Sequence, residues 1–464
     1  MIPLTLAEVA SATGGSLDAA DPAAVVSGEV VVDSRQAGPG SLFVAVHGEQ
    51  VDGHDFAGQA VGAGAVAALV DRPVGVPAVV VADPVLALSR LARAVRDRLP
   101  DLPVVGVTGS SGKTSTKDLL AETLAGLGPV VAPPGSYNNE IGLPLTLLRA
   151  DRSTRALVLE MGARGRGHVA DLCRTAAPTI GVVLNVGSAH LGEFGSREAI
   201  AQAKGELVEA LPADGAAVLN ADDALVRAMA SRTAARVLLA GEAADAHVRA
   251  DDVRLDGTGR ASFRLVAPDG DAPVALRLVG EHHVANALAT AGVGHVLGLP
   301  VAEVAQVLSA AVPRSRWRME VTERADGVTV VNDAYNANPE SVRAALKALV
   351  SLGRGRRTWA VLGEMRELGP TATEEHDAVG RLAVRLDVSR LLAVGEGARA
   401  VHLGAAHEGS WGDESAWVPD VAAAVDVLRA ELRPGDVVLV KASRAAGLER
   451  VAEALLSDGP EEPR

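Results

Sequence analysis

Between residues 106 and 114 the chain reads Gly-Val-Thr-Gly-Ser-Ser-Gly-Lys-Thr, starting within the apolar run VVGVT and leading into the helical pattern of residues 115–124. Strand, Gly-rich turn and helix N-terminus together form a phosphate cradle, because unpaired backbone N–H groups and the helix dipole both face the anion. In such a cradle Thr108, Gly109, Ser110, Ser111, Gly112 and Ser115 wrap the phosphates. Lys113 binds the terminal phosphates and Thr114 offers its hydroxyl to Mg²⁺. Val107 stands where the common pattern has its first Gly. Binding of ATP or GTP is expected.

A phosphate loop does not separate a kinase from a motor or a ligase, so other polar residues at strand ends must decide. Glu160 ends the strand candidate RALVLE, and His190 follows TIGVVLN after a short loop. In a parallel sheet both project at the carboxyl edge, on the rim that carries the phosphate loop. A carboxylate and an imidazole there suit a divalent cation beside the triphosphate; a surface Glu and a locally satisfied loop His are the plainer alternative. Lys204, in the helical run EAIAQAKGELVEAL, reads from composition alone as part of a solvated face.

Three restarts of a βα pattern position these residues. Residues 29–99 alternate β-branched runs with Ala-rich helical stretches, and the proline-bounded LPDLP at 99–103 marks a boundary. Residues 100–312 repeat the pattern with VVGVT, RALVLE, TIGVVLN and GAAVLN, which predicts a parallel sheet covered on both faces. Turn signals within residues 247–280 predict a small antiparallel insertion there. Residues 313–464 alternate a third time and predict a doubly wound, Rossmann-like unit, with Asn338 capping a helix that Pro339 opens. The tail SDGPEEPR is expected to fray.

The chain has 464 residues, 48% hydrophobic and 22% charged, with a net charge of −14, which excludes a disordered chain and argues against nucleic acid as a partner. Its one cysteine, Cys173, cannot form an internal disulfide, and the opening MIPLTLAEVA lacks the pattern of a secretory signal, so a cytoplasmic location is expected. No apolar stretch approaches the ~20 residues that span a bilayer, so no membrane insertion is expected. Nothing apolar demands a partner subunit, and a monomer is expected.

The segments GVTGSSGKTS, LEMGARGRGHV, LNVGSAHLGEFGS, AQAKGELVEAL, LVGEHHVANALA, RWRME, NDAYNANPESVRAAL and VLGEMRELG resemble, in order and over nearly the whole chain, the Mur ligases. These are ATP-dependent amide-forming enzymes of peptidoglycan precursor synthesis. Within that family DAYNANPES and LGEMRELG resemble the members that add D-alanyl-D-alanine to UDP-N-acetylmuramoyl-tripeptide through an acyl phosphate, releasing ADP and phosphate.

The resemblance implies three domains: 1–99 for the UDP-sugar, 100–312 for ATP and 313–464 for the incoming dipeptide. It implies that Lys113, Glu160, His190 and Lys204 are catalytic, with Thr114, Glu160, His190 and a carbamylated Lys204 around two Mg²⁺ ions. Asn286 would touch adenine, and Arg318 and Asp333 would reach the phosphates and ribose. Ser34 and Arg35 would contact the uridine diphosphate, although such short polar loops also serve as ordinary turns. Asn138 and Asn139 would face the sugar-peptide, and Tyr335, Asn336, Asn338 and Ser443 would line the dipeptide pocket. His283 replaces the Asn that often follows the first His of its motif. Glu375 and His376 match a family pattern that carries no derived role, and Arg164 and Arg166 are assigned none. The alternatives are a sister amide ligase, a small-molecule kinase and a nucleotide-binding protein without catalysis.

Overall fold

In the computed structural model, which describes residues 1–48, 51–187, 191–409 and 414–457, three larger sheets follow one another along the chain. The first has the strand order Ser16–Asp18, Ala78–Val80, Ala67–Val70, Leu42–Val44, Val30–Val31 and is parallel except at its first pair. After it comes the helix Pro84–Asp97, where Asp83 accepts the amides of Val85 and Leu86 and Pro84 takes the first position. Its buried stripe of Ala87, Leu88, Leu91, Ala92 and Val95 recurs at helical spacing. That stripe shares one continuous core with Leu143, Leu147 and Leu172 of the helices Gly142–Leu147 and His168–Ala176. Arg93 Nη1 also donates to the Arg174 carbonyl at 2.8 Å. The proline-rich crossing at 99–103 therefore joins two packed bodies, and Leu102 within it is buried.

The central sheet is built around Val104–Thr108, flanked in parallel by Ala156–Glu160 and Ile180–Val183. Val130–Val131, Ala216–Asn220 and Arg236–Gly241 extend it in parallel on either side. The hairpin strands Arg260–Ala267 and Gly270–Val279 are antiparallel, as the turn signals predict. They do not form a separate sheet, however. Val248–Leu255 runs parallel to Arg236–Gly241 and fuses the hairpin to the edge of the parallel sheet. The missing link was RVLLAG, a short apolar run between helical turns whose periodicity does not distinguish strand from helix.

The third sheet has the order Glu320–Glu323, Thr329–Asn332, Val437–Lys441, Thr358–Leu362, Arg390–Val394, Ser415–Val418, antiparallel only at its first pair. Two apolar layers cover its faces. One contains Leu346, Val379 and Val401 of the helices Pro339–Leu352, Ala372–Arg385 and Arg399–Glu408. The other contains Leu428 and Leu455 of Val421–Glu431 and Glu449–Ser457. This is the doubly wound arrangement. Asn338 caps its helix as expected, accepting the Ser341 amide at 2.8 Å. Residues 458–464 of the tail, like His190, lie outside the described residues.

Candidate active site

Register places Glu160 opposite Val107, one residue short of the strand end, so its carboxylate reaches the first turn of the helix Lys113–Leu124. Glu160 is 1% exposed; its Oε2 accepts from Thr114 Oγ1 at 3.0 Å and its Oε1 from Asn138 Nδ2 at 2.8 Å. The Ser136 hydroxyl lies 2.9 Å from that of Thr114. Hydroxyl and carboxylate oxygens thus converge beside the phosphate loop, a hard-donor set of the kind Mg²⁺ takes.

Thr108 Oγ1 donates to the Met161 carbonyl at 2.9 Å and ties the strand end to its neighbour. Lys113 Nζ donates to the Gly109 carbonyl at 2.7 Å, across the loop it must serve. Gly112 has φ +82°, and a Cβ there would stand 2.5 Å from Asn286 Oδ1, so the loop can turn against the buried Asn286 only as glycine. Asn286 Nδ2 lies 3.4 Å from His283 Nδ1.

Lys204 is buried on the helix Arg197–Glu209 and has no hydrogen-bond or ion-pair partner among the described residues. Burial, and then the charge of Lys113, pushes its amine well below the usual lysine range. Burial also lowers Lys113, with Glu160 opposing and Arg318 reinforcing the shift. The solvated-face reading of Lys204 is thus overturned: its helix packs that side against the core, beside Ala203 and Leu207.

The third sheet's unit reaches into the same place. Arg318 Nη2 donates to Thr114 Oγ1 at 3.2 Å and to Ser136 Oγ at 3.3 Å, with its guanidinium 4.2 Å over the Tyr335 ring. Arg318 Nε is buried with no partner among the described residues. The Lys113 ammonium faces both the Glu160 carboxylate and the Arg318 guanidinium, and that surplus of positive charge fits a triphosphate with its metal. Asp333 accepts from Lys441 Nζ at 2.6 Å and from the Met319 amide at 3.1 Å. Nearby, burial pushes His282 down to about 4, against the pull of Asp333. Asn338 Nδ2 donates to the Ser110 carbonyl at 3.4 Å, so a helix cap of one sheet touches the phosphate loop of another.

A cleft of about 890 Å³ joins these groups; Asn139, Asn336 and Ser443 also line it, as do Arg366 and Glu367. Asn139 Oδ1 accepts the Gly142 amide at 2.9 Å and so turns the chain into a helix as well as facing the cleft. Ser34 and Arg35 are not brought to this cleft. Ser34 Oγ bonds Gln59 Oε1 at 3.2 Å, and the exposed Arg35 pairs with Asp33 at 2.7 Å.

Sequence reasoning gave no role to Asn185, which closes the phosphate loop. Its Oδ1 accepts the Ser111 amide at 2.9 Å, its Nδ2 donates to the Ser111 carbonyl at 3.2 Å, and its own carbonyl accepts from Ser110. The available signal was its place, just beyond a strand adjacent to the loop-bearing one. Arg197 was missed as well; it lines the cleft and donates to the Val186 carbonyl at 2.7 Å.

Three family models match in sequence: the Mur ligase family catalytic domain over residues 28–107, the Mur ligase middle domain over 107–294, and the Mur ligase glutamate ligase domain over 317–444. The chain is 53% identical to the UDP-N-acetylmuramoyl-tripeptide–D-alanyl-D-alanine ligase of Mycobacterium tuberculosis, covering 99% of this chain and 98% of that one. It is 35% identical to the enzyme of that name from Escherichia coli, covering 99% and 100%. Among solved structures, MurF from Acinetobacter baumannii superposes with a TM-score of 0.88 at 30% identity, covering 98% of this chain and 99% of that one. MurF from Thermotoga maritima in complex with ADP superposes at 0.79 and 32% identity, covering 93% and 98%. Phosphate loop, buried carboxylate, three-sheet order and whole-chain likeness agree, and the chain belongs to the Mur ligase family.

Proposed function

We propose that the chain is the ATP-dependent ligase that joins D-alanyl-D-alanine to UDP-N-acetylmuramoyl-tripeptide in peptidoglycan precursor synthesis. The observation that carries this reading is the single cleft in which the phosphate loop faces Tyr335, Asn336 and Ser443. Whole-chain likeness to ligases named for that dipeptide supplies the acceptor.

A carboxylate does not condense with an amine unaided, so the tripeptide's terminal carboxylate first attacks the γ-phosphate and ADP departs. Lys113 and Arg318 neutralise the charge that develops on the transferring group. The dipeptide amine then attacks the acyl phosphate carbonyl, and phosphate leaves as the amide forms. Tyr335, Asn336, Asn338 and Ser443 hold the dipeptide, Asn138 and Asn139 the sugar-peptide, and Ser34 and Arg35 the uridine diphosphate. Asn286 contacts adenine and Asp333 the ribose. Residues 1–99, 100–312 and 313–464 each bring one substrate, and the cleft between the phosphate loop and residues 318–445 keeps water from the acyl phosphate.

Thr114 and Glu160 would hold one Mg²⁺, which supplies charge neutralisation at the phosphates. His190 and Lys204 would hold a second. For that role Lys204 is carbamylated: its neutral amine bonds to the carbon of CO₂ and loses a proton, turning a buried amine into a group that ends in a carboxylate. The suppressed basicity of Lys204 supports this. The enzyme acts as a cytoplasmic monomer.

The test is phosphate release with ATP, Mg²⁺ and UDP-N-acetylmuramoyl-tripeptide, comparing D-alanyl-D-alanine with D-alanine, L-lysine and L-glutamate. Release with the dipeptide alone is expected. Release with a single amino acid would make the chain a sister ligase, and none with any acceptor would refute the reading.

A further inference from the structure

The strand Thr358–Leu362 ends at the carboxyl edge of the third sheet and runs into the loop 363–368, whose Arg366 and Glu367 line the cleft. That loop is fastened to the neighbouring strand end by backbone. Gly363 donates to the Lys441 carbonyl at 3.0 Å and the Ser443 amide to the Glu364 carbonyl at 2.9 Å. The Arg366 amide donates to Ser443 Oγ at 2.9 Å. Glu367 has φ +65°, a conformation costly for a residue with a Cβ, which persists only where the surroundings over-determine it.

Between these ties lies the Met365 amide, and its acceptor comes from outside the loop. His376, 2% exposed on the helix Ala372–Arg385, accepts it on Nε2 at 2.8 Å. An amide can donate only to an unprotonated nitrogen, so the ring proton sits on Nδ1, which donates to the Ala372 carbonyl at 2.6 Å. Both ring nitrogens are thus engaged in one tautomer. Next to it, Glu375 pairs with Arg343 at 2.8 Å and ties this helix to Pro339–Leu352, whose cap touches the phosphate loop.

We propose that His376 is a positioning residue for the acceptor: its Nε2 fixes the Met365 amide and so presents Arg366 and Glu367 to the incoming dipeptide, with no contact to nucleotide. This rests on the reading above that the dipeptide binds at the edge formed by Asn336 and Ser443. The loop also meets the central body, where the Gly192 amide donates to the Glu367 carbonyl at 3.3 Å. No hydrogen bond among the described residues joins this loop to the phosphate loop itself, so misplacing it would lower acceptor affinity and leave nucleotide affinity in place.

Two substitutions separate the ring nitrogens. His376→Asn keeps a donor near Nδ1 and loses the acceptor for Met365, whereas His376→Gln restores an oxygen near the Nε2 position. KM for the dipeptide is expected to rise about tenfold in His376→Asn and about threefold in His376→Gln. KM for ATP and for the UDP-tripeptide should stay within about twofold in both. Equal rises in all three KM values, or no rise in any, would overturn the proposal. Independently of any variant's folding, amide hydrogen exchange on the full wild-type chain should show Met365 and Arg366 protected by the dipeptide and not by ATP alone. Unchanged exchange at these amides in a protein that turns over the dipeptide would overturn the proposal while leaving the ligase reading intact; absence of dipeptide turnover in the wild type would instead remove the reading beneath it.

Discussion

Two clusters of ionisable side chains in this molecule each mix acids with bases and differ in balance. In the first domain His47, His54, Asp52, Asp71 and Arg72 form a closed network. His54 Nδ1 meets Asp52 at 2.6 Å and His47 Nε2 meets Asp71 at 2.6 Å. Arg72 bridges both acids, at 2.7 and 3.2 Å, and the Asp71 amide takes the remaining His54 nitrogen at 3.1 Å. Arg72, and then the amide of His54, hold the Asp52 carboxyl far below the usual carboxylate range. His47, His54 and Asp71 place ligand atoms within 4.8 Å of one another, yet each is already engaged by a neighbour. Around Lys113, by contrast, Arg318 adds positive charge, Glu160 supplies the anion, and Lys204 is buried with the basicity of its amine suppressed. A balanced cluster is complete as folded; a buried surplus of one sign stores a cost that a ligand of the other sign relieves.

The sharpest way to break this contrast is Lys113→Ala. ADP formation should fall at least about 10³-fold with the thermal midpoint maintained, because the side chain acts on transition-state charge. Next is Lys204→Ala, expected to cost about 10²-fold in turnover. In parallel, wild-type enzyme depleted of CO₂ should regain activity with bicarbonate while the variant does not; turnover indifferent to bicarbonate would remove the carbamate. In the balanced cluster the same logic predicts the reverse pattern. His54→Ala should lower unfolding free energy by about 1–3 kcal/mol, read by denaturant titration, and leave KM for ATP unchanged.

The smallest effect concerns pH. Hydrogen bonding to Asp71 raises His47 above its ordinary value. A base raised in the folded state stabilises fully below its unfolded pKa and loses that contribution as pH climbs through the folded one. The thermal midpoint should therefore drift down from about pH 6 to 8, near the ordinary histidine range, and His47→Gln should flatten the drift. An equal slope in the variant would assign it elsewhere.

Much of the site was legible because its signals are local. Gly112-Lys113-Thr114 after an apolar run dictates a loop on a helix N-terminus, and a polar residue closing a parallel strand, such as Glu160, must face the same rim. The Asn338–Pro339 helix start is equally local. What the residues by themselves, apart from the family resemblance, left hidden depends on partners far along the chain. Lys204 is polar on an unremarkable helix until packing removes its solvent and leaves Lys113 as its charged neighbour. Asn185 and His376 gain roles only through backbone amides 74 and 11 residues away.

The sequence by itself determined the periodicities that build three sheets, the caps that start helices and the loop chemistry that accepts phosphate. Only the tertiary structure decided that the hairpin at 260–279 extends the central sheet, that Arg318 reaches Thr114 across the sheets, and that Lys204 is buried with no ion-pair partner among the described residues. Periodicity and capping are set by neighbours within a few residues, whereas desolvation and charge pairing depend on which distant segments exclude water from a side chain.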